Sequence, residues 1–167
     1  MYKRVFLAAI LALLCLPVLD LRAQAPASSG EAAIKALYTK WNDAFNKKDV
    51  DGIMSLYAPD VFVYDVIPPR AYPSWDAYKK NWTDLFVQFP TVNNTVSDLH
   101  VTVVGPVAYT RFINSGTMTA KDGTQSHVVV RSTDVWRRIN GRWLIVQEHN
   151  SIPVDLNTSK PDMLSTP

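Results

Sequence analysis

The chain has 167 residues, of which 47% are hydrophobic, 19% charged and 11% aromatic, with 11 Pro, 6 Gly and one Cys. This length supports one domain with a core of its own and is too short for two. The apolar fraction is too high, and the charge too balanced, for an intrinsically disordered or collagen-like chain.

The first 25 residues have the pattern of a secretory signal peptide. Lys3 and Arg4 precede a short apolar run, residues 5–16, and Ala23-Gln24-Ala25 offers small residues where a signal peptidase cleaves. The run is shorter than the roughly 20 apolar residues of a transmembrane helix. We therefore expect cleavage after Ala25 and a mature protein that is secreted or periplasmic, without membrane attachment.

Cleavage there changes the charge balance of the protein. Lys+Arg falls from 17 to 14 and Asp+Glu from 15 to 14, so the net charge drops from +2 to zero. Nucleic-acid-binding proteins neutralise backbone phosphates with an excess of Lys and Arg side chains. The mature chain has no such excess, so we expect no nucleic acid partner. The single cysteine, Cys15, leaves with the signal segment, so disulfides and cysteine-bound metals are excluded from the mature protein.

Three helices are predicted at the start of the mature chain, after a polar leader at residues 26–30. Apolar residues recur at helical spacing over residues 34–45. Asp49 can cap a short second helix and Ser74 a third one, each of them closed by a proline. A β-branched and aromatic run at residues 61–67 predicts a strand before the third helix.

Everything after the third helix is predicted to be extended. Gly-Pro, Asp-Gly and Asn-Gly pairs divide it into four strands, at residues 92–104, 107–120, 125–139 and 142–153. Asp-Gly and Asn-Gly between extended runs are strong hairpin signals. The polar tail, residues 154–167, is predicted to be loose. The order of elements predicts an α+β domain over residues 31–153, with helices on one face of an antiparallel sheet.

Two-residue turns at Asp122-Gly123 and Asn140-Gly141 would decide which side chains share a sheet face. In that register Arg111 lies opposite Asp134, and His149 lies diagonal to Asp134 within reach of long side chains. We therefore predict a cluster in which Asp134 holds Arg111 and orients His149 for proton transfer near neutral pH. A plain Arg111–Asp134 ion pair beside a packed histidine fits the same pattern.

The opposite sheet face is also partly apolar in this register. Its apolar members include Phe112, Val129, Val135, Leu144 and Val146. A sheet with apolar side chains on both faces needs a second partner on the outer one, so we predict a homodimer.

Asp65 is the other candidate for chemistry. By strand alternation it shares a face with Val61, Val63 and Ile67. Burial raises the pKa of a carboxyl, which suits a general base at neutral pH. The alternative is that Asp65 only caps the turn before Pro68-Pro69.

Four motifs spread over residues 31–153 occur together: Trp41-Asn42-Asp43-Ala44-Phe45, Asp49-Val50-Asp51-Gly52-Ile53, Leu56-Tyr57-Ala58-Pro59-Asp60, and the segment from Thr133 to Trp143. In these motifs the chain resembles the nuclear transport factor 2-like superfamily, in its SnoaL-like and ketosteroid isomerase-like branch. The resemblance implies a cone, in which a curved sheet wraps three helices and encloses a pocket. Because this superfamily hosts many unrelated functions, it implies the fold more strongly than a reaction.

Ketosteroid isomerases use an aspartate base together with a tyrosine and a protonated aspartic acid. The resemblance puts the base on Asp65, the acid on or near Asp134 and the tyrosine on Trp41, whose indole N–H can also donate. It makes the face of Asp134 the inside of the cone. The side chains then expected to bind a ligand are Trp41, Tyr57, Trp82, Tyr109, Arg111 and Trp136.

Two classes of function stay open. The first is an acid–base enzyme, an isomerase, cyclase or hydratase, that acts on a small apolar substrate through Asp65 with Asp134 or His149. The second is a non-catalytic domain that binds a small hydrophobic ligand. No cofactor or metal is predicted, since phosphate loops and nucleophile elbows are missing and His100 and His127 have no second ligand at metal-binding spacing.

Overall fold

A computed structural model describes residues 29–163, so the predicted signal peptide and most of the polar leader lie outside the described residues. The first part of the fold contains helices α1 (Ser29–Asn46), α2 (Val50–Met54) and α3 (Trp75–Gln88), with strand β1 (Tyr57–Tyr64) before α3. Four long strands follow: β2 (Thr91–Val104), β3 (Val107–Thr119), β4 (Gln125–Ile139) and β5 (Arg142–Ser151). Over residues 29–163, no helix has the length and apolar character needed to cross a membrane.

The helix starts follow from local hydrogen bonds that the sequence predicts. The Asp49 carboxylate accepts the backbone N–H of Gly52 at 2.9 Å and caps α2. The Ser74 hydroxyl accepts the N–H of Ala77 at 3.2 Å and caps α3. Each of these bonds satisfies a donor that has no partner within the first turn of its helix.

The five strands form one curved sheet in the order β1-β5-β4-β3-β2. Neighbouring strands from β2 to β5 are antiparallel, as predicted, but β1 pairs with β5 in parallel. The sheet is therefore mixed, because β1 joins the edge beside the last strand instead of forming a hairpin with its chain neighbour. The α+β class is confirmed, with the helices on one face of the sheet.

The core lies between the helices and the inner face of the sheet. Aromatic side chains dominate it, and several pack edge to face, which is the favoured arrangement of aromatic rings. Its buried aromatic members are Tyr38, Trp41, Phe45, Tyr57, Tyr72, Tyr78, Trp82, Phe112, Trp136 and Trp143. This aromatic packing fixes how α1 and α3 lie on the sheet.

The two Gly-containing hairpins differ in length. The Asn140-Gly141 turn has two residues, with positive φ at both and Ile139 opposite Arg142, as predicted. At the other hairpin Thr119 pairs with Gln125, and the N–H of Ala120 reaches the carbonyl of Thr124 at 2.8 Å. That loop has three residues, so the predicted register is wrong by one position. Every β3 side chain consequently faces the opposite side from the prediction.

A β-bulge shifts the second half of the β4–β5 pairing. Trp136 lies opposite Ile145, but Val135 lies opposite Gln147, so Val146 is the additional residue. Beyond the bulge, Asp134 pairs with Glu148 instead of the predicted Gln147.

The tail beyond β5 is more ordered than predicted. Residues Val154–Asp155 (β6) pair with Lys160–Pro161 (β7) in a two-stranded antiparallel sheet. The Asp155 carboxylate accepts the N–H of Asn157 at 2.8 Å and the hydroxyl of Thr158 at 3.0 Å, which holds the turn together.

The close approach of β2 to β3 beside Gly116 gives a testable consequence. A Cβ atom on Gly116 would lie 1.9 Å from the carbonyl oxygen of Asn93. We expect Gly116→Ala to lower the free energy of unfolding by about 2 kcal/mol, because backbone must move to relieve the contact. Urea denaturation measures this, with the adjacent Ser115→Ala as control. A Gly116→Ala variant as stable as that control would contradict the predicted contact.

Candidate functional site

A cavity lies between α1, α3 and the inner face of the sheet. The space open to the centre of a water molecule is about 80 Å³, and one water needs about 10–15 Å³ by this measure. The cavity therefore has room for several waters or for a small organic group. Its apolar wall is formed mainly by Trp41, Phe45, Leu56, Trp82, Leu85, Phe112, Met118, Val128, Val130, Trp136 and Ile145.

Three carboxyl groups line this apolar cavity: Asp65, Asp134 and Glu148. None of the described residues that line it is Lys, Arg or His. An anionic ligand would meet three acids and no cation, which opposes its binding. The lining instead suits a neutral or cationic molecule.

Asp134 is the most deeply buried of the three. It is 1% exposed, and its Oδ2 accepts the Tyr38 hydroxyl at 2.5 Å. Its Oδ1 has no hydrogen-bond partner. Burial, and then the nearby Glu148, raise the pKa of Asp134 well above its usual range, and the Tyr38 hydrogen bond opposes this only in part.

Glu148 lies opposite Asp134 on the neighbouring strand but is better supplied with donors. The hydroxyls of Tyr57 and Tyr78 donate to it, each at 2.5 Å, and the Asn150 amide donates at 2.7 Å. Burial raises the pKa of Glu148, while the two tyrosine hydrogen bonds lower it. Because Glu148 receives three hydrogen bonds and Asp134 one, we assign the first proton of the pair to Asp134.

Asp65 follows the end of β1 and lines the cavity together with Val66 and Ile67. Its Oδ1 accepts the N–H of Val66 at 2.7 Å and the Asn150 amide at 3.2 Å, and its Oδ2 accepts the Asn81 amide at 3.0 Å. Burial raises the pKa of Asp65, and these hydrogen bonds act in the opposite direction.

Six of the residues predicted from the sequence line the cavity: Trp41, Tyr57, Asp65, Trp82, Asp134 and Trp136. Trp41 is not free to donate to a ligand, because its N–H already donates to the Tyr57 hydroxyl at 3.3 Å. The N–H of Trp82 is buried without a partner.

The predicted cluster of Arg111, Asp134 and His149 does not form. Arg111 and His149 are exposed and lie on either side of Thr133, on the outer face of the sheet. Tyr109 is 50% exposed on that same outer face. Arg111 and Tyr109 lie on the outer face because the three-residue loop shifts the alternation of β3 by one residue. His149 lies there because the bulge at Val146 shifts the alternation of β5 by one residue.

The same shifts bring unexpected residues inside. Phe112 was predicted on the outer face, and the predicted register puts Glu148 on that face too, because Glu148 is two residues from Val146 on the same strand; both line the cavity instead. Tyr38 and Tyr78 belong to the helical stripes that predict a core, and the pattern does not show that their hydroxyls reach buried carboxyls. Nothing in the sequence marks the bulge that turns Glu148 inward.

Metal binding finds no support in the described part of the chain. Over residues 29–163, no group of three or more His, Cys, Asp or Glu side chains is placed to hold an ion. His100 and His127 are both exposed.

Helices on one side of a curved five-stranded sheet, with a cavity between them, define the nuclear transport factor 2-like fold. An NTF2-like protein of unknown function from Pseudomonas putida KT2440 is 26% identical to the chain, with a TM-score of 0.75 over 83% of this chain and 96% of that one. The sequence also matches the SnoaL-like domain over residues 34–155. The protein belongs to the SnoaL-like family of the NTF2-like superfamily, as the motifs predicted.

Two more distant structures share the fold. A protein from Novosphingobium aromaticivorans DSM 12444, proposed to be a scytalone dehydratase, has 16% identity and a TM-score of 0.65, covering 71% of this chain and 80% of its own. A proposed dehydratase of the NTF2-like family from Streptomyces avermitilis has 16% identity and a TM-score of 0.66, covering 75% and 97%. No protein of curated function matches the sequence.

The raised pKa of Asp134 predicts how its replacement depends on pH. Because the folded pKa exceeds the unfolded value of about 3.9, the native state binds more protons than the unfolded one, and stability falls as pH rises through this window. Asp134→Asn keeps a neutral, hydrogen-bonding side chain. We expect its stability relative to the wild type to increase between about pH 5 and about pH 8, because only the wild type must bury a charge.

Urea denaturation at both pH values measures this difference. The matched control is Asp43→Asn, since Asp43 is exposed on α1. If Asp134→Asn and Asp43→Asn show the same pH dependence, Asp134 is not kept neutral by burial.

Proposed function

We propose that the protein is an acid–base enzyme that acts on a small, mostly apolar and uncharged substrate, as an isomerase, cyclase or hydratase does. The observation that carries this proposal is the set of three carboxyl groups in one aromatic cavity whose described lining contains no basic side chain. Carboxyls with raised pKa values exchange protons near neutral pH, which ordinary surface carboxyls do not.

Asp65 is the proposed base. It accepts two hydrogen bonds at Oδ1 and one at Oδ2, so Oδ2 keeps a lone pair that can take a proton from substrate. The three donors also fix the carboxylate in one orientation. A base held in place needs little reorganisation when the proton moves.

Asp134 is the proposed acid. It is the carboxyl with the stronger tendency to keep its proton, and Tyr38 orients it through Oδ2. Its Oδ1 is available to hydrogen-bond a substrate oxygen once a ligand fills the cavity. In a dehydration, Asp65 would remove a proton from carbon and Asp134 would protonate the departing hydroxyl, which leaves as water.

The comparisons support this reaction class only through the fold. The two proposed dehydratases are 16% identical to the chain. Their names are consistent with a pocket enzyme of this kind, and they do not supply a substrate.

A non-catalytic binding domain is the second candidate. It is favoured by the three protein donors that already satisfy Asp65, since these bonds are equally expected of a carboxyl with a structural role. In this case the cavity would hold a small hydrophobic molecule and the carboxyls would orient it.

Replacing Asp65 separates the two candidates. With a substrate identified by native mass spectrometry of the purified protein, we expect Asp65→Asn to lower kcat at least about 100-fold, because the base is lost. The exposed Asp84→Asn on α3 is the control. If the Asp65→Asn variant binds the same molecule and turns it over at the wild-type rate, Asp65 is excluded as the base.

The predicted export and homodimer form part of the same proposal. Removal of residues 1–25 would deliver the domain as a secreted or periplasmic protein of zero net charge. For the dimer, the outer sheet face carries three exposed aromatic residues, Phe62 and Tyr64 on β1 and Tyr109 on β3. Val135 pairs with Tyr109 on that face, and Val129 and Leu144 lie further along it. We propose that a second copy of this chain covers it.

A charge in the middle of this face tests the dimer. We expect Val135→Glu to weaken self-association at least about tenfold, since a buried unpaired carboxylate opposes a dry interface. Sedimentation equilibrium measures this, with Thr39→Glu on the exposed side of α1 as control. A wild-type protein that sediments as a monomer would show that no second copy covers the face.

A further inference from the structure

A row of polar side chains crosses the inner face of the sheet, one from each of four neighbouring strands. Asn94 on β2 donates from Nδ2 to Oδ1 of Asn114 at 3.0 Å, and Asn114 on β3 donates to the hydroxyl of Ser132 at 3.3 Å. Ser132 on β4 donates to Oδ1 of Asn150 on β5 at 2.6 Å. We name these four residues the amide chain.

The amide chain ends on two carboxyl groups. Nδ2 of Asn150 donates to Oε1 of Glu148 at 2.7 Å and to Oδ1 of Asp65 at 3.2 Å. Both hydrogens of one NH₂ group are therefore used, one on each acid. Asp65 follows β1 and Glu148 lies on β5, so Asn150 is a side chain that links two separate parts of the chain.

The two acids also determine the direction of every hydrogen bond in the chain. Carboxylates only accept, so Asn150 must turn its NH₂ group toward them and its oxygen toward Ser132. The single hydroxyl hydrogen of Ser132 is then committed to Asn150, and Ser132 can only accept from Asn114. Asn114 in turn presents its oxygen to Asn94, so all four donors are directed toward the acids.

The far end of the chain is anchored as well. Asn94 donates from Nδ2 to Oδ1 of Asn42 on α1 at 3.0 Å. Its backbone N–H donates to the Asn46 side chain at 2.7 Å, and the Asn46 amide donates to the Asn94 carbonyl at 3.0 Å. Asn94 is buried, so this orientation is held without help from bulk solvent.

We propose that the amide chain is a positioning device that holds Asp65 and Glu148 through one shared amide and makes the charge state of each acid depend on the other. When one acid takes a proton, it becomes a poorer acceptor, and Asn150 strengthens its bond to the acid that stays ionised. Aligned donors polarise one another, so residues without contact to either acid contribute to this effect. The inference rests on the proposed function only in naming Asp65 as the base.

Other titratable groups face the same two acids, and the experiment has to keep them constant. Asp134 faces Glu148 from β4, Tyr57 from β1 and Tyr78 from α3. Tyr72, from the segment before α3, lies near Asp65 and donates to Asn81, which in turn donates to Asp65. The variants below alter none of these groups.

The test is a ¹³C NMR titration of the Asp and Glu carboxyl carbons in the full chain without ligand, with Asp65→Asn used to assign the Asp65 signal. We expect Ser132→Ala to raise the titration midpoint of at least one of the two acids, Asp65 and Glu148, by about 0.3 pH units, because this substitution breaks the amide chain without touching either acid. Asn150→Ala should raise the same midpoint by about one unit, because it removes the amide that donates to both acids. Ser126→Ala, exposed on the same strand, is the control and should change nothing.

Two further variants exclude a purely structural explanation. Ser132→Thr keeps the hydroxyl and should restore the wild-type midpoints. Asn114→Ala breaks the chain one step further from the acids and should give a smaller shift than Ser132→Ala, and it serves in its place if Ser132→Ala does not fold.

Folded variants of Ser132 or Asn114 with unchanged midpoints would overturn the proposal. Equal shifts for Ser132→Ala and Ser132→Thr would also overturn it, because the hydroxyl would then be irrelevant. The titration needs no substrate, so this result is independent of whether Asp65 proves to be a catalytic base.

Discussion

The burial of Asp134 and Glu148 side by side, with no basic side chain in the described lining of their cavity, is the constraint on which the site is built. A buried carboxyl without a cation must be neutral or must be surrounded by hydrogen-bond donors. The donors come from different elements: Tyr38 on α1 serves Asp134, and Tyr57 on β1 and Tyr78 on α3 serve Glu148. The same bonds therefore tie the helices to the sheet and determine the shape of the cavity.

Unequal supply of donors gives the two acids different chemistry within one cavity. Asp134 has one donor and takes the first proton of the pair, whereas Glu148 has three donors, which favour its ionised form. Asp65 lies at the other end of the Asn150 bridge and shares a donor with Glu148. General acid–base catalysis on a small substrate needs one group that donates a proton and one that accepts a proton, and the walls of this apolar cavity offer both kinds of group. The amide chain extends this arrangement across the sheet, from the two acids to residues on β2, β3 and β4 that contact neither of them.

Local sequence signals predicted most of the fold. Asp49 and Ser74 cap the helices they were expected to cap, and Asn140-Gly141 forms the expected two-residue turn, because these signals act over a few residues. The site was predicted less well, because one residue more or fewer in a turn or a strand moves every following side chain to the opposite face of the sheet. One additional residue in the loop between β3 and β4 places Arg111 on the outer face. One additional residue at Val146 places His149 on the outer face and Glu148 on the inner face. Asp65 was predicted from strand alternation and Asp134 from the hairpin pattern, and the family resemblance pointed to both, whereas no pattern marks Asn150.

A proton balance between the native and the urea-unfolded protein tests whether folding keeps these buried carboxyls from ionising. Potentiometric titration of both states counts the protons that folding takes up at each pH. Burial raises the pKa values of Asp65, Asp134 and Glu148. This burial predicts net proton uptake on folding above the unfolded pKa values of about 4. It also predicts a smaller uptake in an Asp134→Asn, Glu148→Gln double variant. Folding of the wild-type protein with no uptake, or with release of protons in that range, would contradict the account.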